Sequence, residues 1–432
     1  MAQTQSSGCM STSLLRLAKL GRDHPQRCFT NLNQYLTVEL LRAAFHQTRK
    51  DGAVGVDGQT ATEYARDLEG NLESLLNRAK SGCYVAPPVK RGYVPKGSGQ
   101  RPIGIPTFED KVLQRAVVMI LERLYEPIFH PHSYGYRPNK SAHQALALLR
   151  RQLGQGGGHV VEMDIQGFFD HLDKSRLREF LQQRIGDGAL LRLINKWLKA
   201  GVMEAGRIHY PDTGSPQGGV ISPILANVYL HYVLDQWFEE QVNPRLTGQS
   251  CLIRFADDAV LVMRNAGDVD RVMQVLPKRF SRFGLQLHPD KTCVTVFKPR
   301  EKNRVDFLGF THFWGKSRRG SWIVQRKTMK SRFARGVKAI SQWCRSNRHQ
   351  SLSEQHATLS RKLRGHYAYF GISGNFPAIK RFRFVVERVW VKWLRRRSQR
   401  HCLNWEQTDR LLTRYALPAA KLMTTSPAKV MN

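Results

Sequence analysis

The stretch CLIRFADDAVLVM, residues 251–263, sets two apolar runs, CLIRF (251–255) and AVLVM (259–263), around Ala256-Asp257-Asp258. Short apolar runs this close together read as the two buried strands of a tight hairpin. Paired aspartates in a turn are ordinarily hydrogen-bonding turn formers. Here the flanking strands are too apolar for surface decoration, so the pair falls at the rim of a buried sheet. Adjacent carboxylates there repel and take up a proton unless a cation neutralises them. Ligands that are all oxygen favour a hard divalent ion, with Mg2+ the first choice.

Upstream, HVVEMDI (159–165) is a second buried strand, bounded by Gly156–Gly158, and it ends on a third carboxylate, Asp164. Three carboxylates on neighbouring strand ends suit two Mg2+ ions roughly 4 Å apart, the arrangement that clamps an in-line phosphoryl displacement. One ion would lower the pKa of an attacking 3′-hydroxyl, and the other would steady a leaving pyrophosphate. Asp170, two residues beyond Phe168-Phe169, reads as structural. Between the acid motifs lies Gly214-Ser215-Pro216-Gln217-Gly218-Gly219, then the apolar VISPILANVYL (220–230). Glycine-rich backbone of this kind can approach a base pair closely, with Gln217 as a polar probe.

The rest of the chain agrees with a nucleic-acid enzyme. Its 432 residues carry 68 Lys+Arg against 34 Asp+Glu, a net charge of +34, while 41% are hydrophobic. That apolar content argues against a disordered polycation. The charge calls for a polyanionic partner and argues against an ordinary metabolic enzyme. Residues 311–432 hold 27 of the basic residues against four acids, which reads as a separate nucleic-acid-binding module. Within it, Phe333, Val337, Ile340 and Cys344 recur at helical spacing. So do Leu359, Leu363, Tyr367 and Phe370, and then Phe382, Val386, Val389 and Trp393. Beyond Gln325 the pattern predicts helix throughout, a small bundle whose arginines are left to meet phosphate. The first 90 residues read as mostly helical, broken by the turn GAVGVDG at 52–58. The N-terminus lacks the apolar core of a secretory signal, and no run approaches the ~18 apolar residues of a membrane span. Seven scattered cysteines, without a C-x-x-C pair, suit reduced thiols in a cytosol and propose no zinc module.

The order of motifs resembles the reverse transcriptases, specifically the bacterial group II intron-encoded reverse transcriptase/maturases, from about Arg49 to Pro418. Gly55-Val56-Asp57-Gly58 resembles that family's N-terminal extension. Tyr93-Val94-Pro95-Lys96 with Arg101 to Pro106 resembles its fingers, and Ser133-Tyr134-Gly135-Tyr136-Arg137-Pro138 is a signature typical of the group. Asp164–Asp170, Ser215–Gly219 and Phe255–Asp258 match motifs A, B and C. Gly284-Leu285 with Lys291-Thr292 resembles motif D, and Phe307 to Phe310 the primer grip. Leu363 to Phe370, Trp393 to Arg396 and Leu403 to Glu406 resemble the maturase thumb.

The resemblance implies an α+β right-hand polymerase fold with helical N-terminal extension and fingers, an antiparallel-sheet palm and an all-helical thumb. The expected divisions are an extension over 1–75, fingers and palm over 76–315, a thumb over 325–400 and a basic nucleic-acid-binding tail over 401–432. It implies an RNA-directed DNA polymerase in which Asp164, Asp257 and Asp258, with the Ile165 carbonyl, hold two Mg2+ ions, Mn2+ being able to substitute. Lys96 and Arg101 would grip the triphosphate, Gln217 would probe the base pair, and Phe169 would be the steric gate against a ribose 2′-hydroxyl. Phe168 is then the core member of that pair. Lys291 would be a general acid toward pyrophosphate. The expected partners are group II intron RNA, an RNA template with DNA primer, target DNA and dNTPs, in a bacterial cytosol and nucleoid and away from membranes.

Three departures from the family pattern stand out. Phe255 replaces a tyrosine, which removes a hydroxyl near the primer but leaves metal binding and stacking intact. Gln166 and Ser215 stand where Lys and Thr are commoner, and neither change is expected to threaten the metal site. A Cys/His-rich endonuclease module is missing, so mobility would rely on nicks or replication forks. Two other readings compete: a splicing-only RNA-binding maturase, and a polymerase recruited to host defence or repair. Phe169 argues against an RNA-templated RNA polymerase.

Overall fold

A computed structural model describes residues 2–96, 99–204, 206–210, 218–397 and 404–423, with the side chains of residues 2–11 and of Lys96 left aside. The chain forms two compact units. One combines Met1–Ala145 with Val161–Val294, and the other Leu146–Val160 with Thr295–Asn432. The second unit thus begins at Thr295 and also takes in Leu146–Val160.

In the first unit, helices over Val38–Gln47, Leu68–Ser81 and Phe108–Tyr125 start at side-chain caps from Thr37, Asp67 and Thr107. The last of these is buried on nearly every side, and one continuous apolar core runs from Leu14 to Leu285 around it. Leu14 to Leu75 of the expected N-terminal extension share that core. A buried guanidinium explains the attachment. Arg184 donates to the carbonyls of Gly21 (3.3 Å), His24 (3.0 Å), Leu124 (3.0 Å) and Pro25, so a single side chain satisfies carbonyls near the ends of two helices and in the loop after the first of them.

The same unit carries a four-stranded sheet ordered β2-β1-β4-β5, formed by β1 (Val89–Lys96), β2 (Gly99–Ile105), β4 (Val202–Glu204) and β5 (Arg207–His209). A second sheet is ordered β6-β7-β3-β8, from β3 (Gly158–Asp164), β6 (Ser250–Phe255), β7 (Asp258–Met263) and β8 (Cys293–Phe297). β6 and β7 form the antiparallel hairpin expected from 251–263, with Phe255 opposite Asp258. The turn is one residue tighter than the sequence suggested, because Asp258 already opens β7.

In the second unit, β9 (Arg304–Phe307), β10 (Phe310–Lys316) and β11 (Trp322–Thr328) form an antiparallel meander. The helical expectation from Gln325 onward is thus corrected to one from Lys330, since β11 continues to Thr328. Helices Lys330–Ser346, Leu352–Phe370 and Phe376–Leu394 follow, and their stripes pack Ile340, Cys344, Leu359, Leu363, Phe382 and Val386 around a fully buried Trp390. Trp390 donates its indole N–H to Gln355 (2.9 Å), whose amide donates to the Asn347 and Arg348 carbonyls in the turn after the first of these helices. The described part of the expected tail is no appendage. Leu417 joins the same core, Tyr367 donates to Pro418 (3.0 Å) and Met423 to Gly371 (2.7 Å). Leu411, Leu412 and Leu417 supply the apolar area that ties it down. No described helix is long and apolar enough to cross a membrane.

Burial makes both units acid-sensitive. It pushes His130, His231 and His366 down to about 4 and His312 down to about 3, with Asp235 partly opposing the effect at His130 and His231. Unfolded histidine titrates near 6.5. The unfolded chain therefore binds more protons as pH falls below that value, and the stability held by the neutral rings is lost down through pH 4. Asp110, raised to about 6 by burial, runs the other way, losing its contribution as pH rises through that value. The melting temperature is accordingly expected to fall between pH 7.5 and pH 5. A flat profile in calorimetry over that range contradicts the burial of these rings.

Candidate active site

β3 ends on Asp164, and the β6–β7 turn presents Asp257. Both line one open pocket with Ile165, Phe169, Arg101 and Lys291. Six of the residues expected from sequence therefore converge. Asp258 does not line that pocket; it stands beside it as the exposed first residue of β7. The Lys96 side chain and Gln217 lie outside the described residues. Arg101 reaches the pocket from β2, where it pairs with Val94 across the hairpin.

Motif A is held by a short segment distant in sequence. His288 donates its N–H to the Asp164 carbonyl (2.8 Å), Gln166 to the Gln286 carbonyl (2.8 Å), and Ile165 bridges Leu287. Lys291 emerges from that segment and ion-pairs with Asp164, Nζ to Oδ2 at 2.9 Å. Phe168 packs edge-on against Tyr229 at 6.2 Å between centroids and against Phe169 at 5.1 Å. Both rings are buried and both line the pocket, so neither burial nor position separates a core ring from a gate.

Two glycines mark close backbone approaches. A Cβ at Gly135 would strike the Ala256 nitrogen, which accounts for glycine in the Ser133–Pro138 signature: that loop backs the aspartate turn. Gly218, at φ +118°, lies against the Gly104 carbonyl of β2, seating the described end of motif B on the hairpin that carries Arg101. The next turn of motif B is fixed from beneath. Gln114 accepts from the Ile221 N–H (3.2 Å) and donates to Asp110 (2.9 Å), which also accepts from Tyr84 and Trp197 (2.6 Å each).

Sequence reasoning missed His288, Gln100 and Tyr136, and it set aside Asp170. His288, Gln100 and Asp170 line the pocket. Tyr136 lies in the electrostatic reach of Asp257, Arg101 and Asp258, and burial followed by the Asp257 carboxylate raises its phenol above the usual value. His288 carried a signal in hindsight, three residues before Lys291. Tyr136 carried its membership of the signature loop.

The donor set is carboxylate and carbonyl oxygen, which suits Mg2+ or another hard divalent ion. No three described His, Cys, Asp or Glu side chains form a cage of their own.

A family model described as reverse transcriptase (RNA-dependent DNA polymerase) matches residues 94–312. The chain is similar to group II intron-encoded protein LtrA of Lactococcus lactis subsp. cremoris, at 38% identity over 224 residues, covering 50% of this chain and 37% of LtrA. It is also similar to protein YkfC of Escherichia coli (strain K12), at 38% identity over 306 residues, covering 62% of this chain and 78% of YkfC. The chain thus spans well under half of LtrA.

Proposed function

Because the chain belongs to the reverse transcriptase (RNA-dependent DNA polymerase) family, we propose that it copies RNA into DNA on a right-hand polymerase fold and binds a group II intron RNA to assist its splicing and mobility. The observation that carries the reading is the convergence of Asp164, Asp257, Arg101, Phe169 and Lys291 on one pocket from four separate parts of the chain.

Asp164, the Ile165 carbonyl, Asp257 and Asp258 would hold two Mg2+ ions, with Mn2+ able to substitute. Such ions supply charge neutralisation to an attacking 3′-hydroxyl and a leaving pyrophosphate. Arg101 offers a forked guanidinium to the triphosphate, and Lys96 a compact ammonium. Lys291 Nζ, beside Asp164, carries the proton intended for pyrophosphate. Gln217 probes the nascent base pair. Phe169 closes the pocket wall where a ribose 2′-hydroxyl would project. The intron partner is supported by the name of LtrA and by the basic helical unit, whose exposed arginines would grip folded RNA by phosphate contacts.

Primer extension on an RNA template with Mg2+ tests the reading. Extension is expected with dNTPs and not with rNTPs, and Phe169→Val is expected to raise rNTP use by about 10- to 100-fold, the scale of a single pocket contact. No extension by the wild-type chain refutes the polymerase reading. Unchanged rNTP discrimination in Phe169→Val refutes the gate.

A further inference from the structure

We propose that the buried Arg254–Asp235 ion pair is a positioning device for the aspartate turn, setting the peptide from which Asp257 departs and through it the affinity of the site for divalent metal. The proposal rests on the polymerase reading only in naming what that metal is for.

Arg254, the penultimate residue of β6, is 1% exposed and Asp235 is 0% exposed. The contact is bidentate, with Nε to Oδ1 at 2.8 Å and Nη2 to Oδ2 at 2.6 Å. The remaining nitrogen, Nη1, does not stop at the ion pair. It donates to the Ala256 carbonyl at 3.0 Å and to Asn227 Oδ1 at 3.0 Å. Asn227, buried in helix Ser222–Leu230, donates onward to the Gly135 carbonyl at 2.8 Å. The backbone closes the frame, since Tyr134 donates to the Arg254 carbonyl (2.8 Å) and Arg254 to that of His132 (3.0 Å).

What this frame encloses is the turn. Ala256 has φ +57°, the left-handed region that residues with a Cβ seldom occupy. Its carbonyl belongs to the peptide that begins Asp257, so fixing that oxygen fixes the plane from which the Asp257 side chain projects. A fork held on two points by Asp235 directs its third nitrogen rigidly, which an ammonium cannot do. Asp235 comes from a π-helical turn, His231–Asp235, a distortion frequently found at functional sites. A buried ion pair is poor evidence for stability, because apolar residues of similar volume often serve as well. Its use here lies in the contact it makes to the turn.

That principle also supplies the test. The double variant Arg254→Met/Asp235→Leu removes both charges together and leaves no lone buried ion. Mn2+ affinity is measured by electron paramagnetic resonance on the full chain with primer–template, alongside the Mg2+ dependence of extension, with Asp257→Ala as the control that loses Mn2+. The double variant is expected to fold and to bind primer–template as the wild type does. Its Mn2+ dissociation constant and its Mg2+ requirement are expected to rise by about 10- to 100-fold, the usual cost of losing a partner that orients a ligand. Arg254→Lys, which keeps the charge but loses the fork, is expected to move both readouts the same way, with the KM for dNTPs unchanged.

A folded double variant with wild-type Mn2+ affinity overturns the proposal. If it does not fold, Arg254→Lys decides by the same readouts, and failure of both to fold assigns the pair to folding alone. A wild-type chain that binds Mn2+ but extends no primer refutes the polymerase reading and leaves the metal readout to judge the positioning.

Discussion

Asp257→Ala is expected to lower RNA-templated DNA synthesis by at least about 10³-fold, because a catalytic metal supplies several kcal/mol and each 1.36 kcal/mol is a factor of ten. Asp257 shares its pocket with Asp164, yet it sits half-buried in the turn between β6 and β7 and not within the apolar core. The variant should therefore fold normally, and its melting temperature separates lost chemistry from lost structure. The same variant divides the two roles proposed for the chain. RNA held by shape and phosphate contacts needs no carboxylate, so assistance to intron splicing should persist while synthesis vanishes. Synthesis at the wild-type rate in Asp257→Ala dissociates the pocket from polymerisation. A wild-type chain that promotes splicing but never extends a primer is a splicing factor with a vestigial site.

RNA affinity is expected to fall by about 10³ to 10⁵ between 50 and 200 mM salt, the response of a protein that neutralises roughly six to ten phosphates. The basis is the helical unit. Its core-facing stripes leave Arg332, Arg335, Lys338, Arg361, Arg364, Arg381 and Arg388 exposed. Arg388 also lies over the exposed ring of Phe384 at 5.6 Å, a pairing suited to stacking as well as charge. Filter binding over a salt series measures the slope, and charge reversal at two of these arginines should make it shallower. A flat response removes the basic surface from the binding account.

Much of the site was legible because its signals are local. Apolar runs five residues long around Asp257 announce a hairpin whatever surrounds it, and Asp164 closes a comparable run. The stripes ending in Cys344, Phe370 and Trp393 likewise follow helical periodicity, and they supply the second core, with Phe333, Val337, Phe370, Val389 and Trp393 only partly buried against it. Trp390 is the fully buried ring and Trp393, three residues on and only about 60° round the helix, packs partly buried against the same core, a distinction that pattern alone does not make. β10 and β11 were missed for a related reason. Basic and polar residues such as Arg326 and His312 interrupt the apolar alternation yet point inward, and only their burial reveals the strands.

By itself, the sequence determined where the carboxylates fall on short apolar runs and that the charge excess is concentrated toward one end, while roles for the fingers cations and the aromatic pair came only with the family resemblance. The first two are matters of residue type and short-range spacing, which survive without a partner segment. Tertiary structure decided what those residues are held by. Lys291 meets Asp164, Gly135 backs Ala256, and Arg254 reaches Asp235, Asn227 and the Ala256 carbonyl at once. Most of these contacts join residues many positions apart with no period between them. Their geometry comes into being only when buried polar groups must find partners inside a packed core.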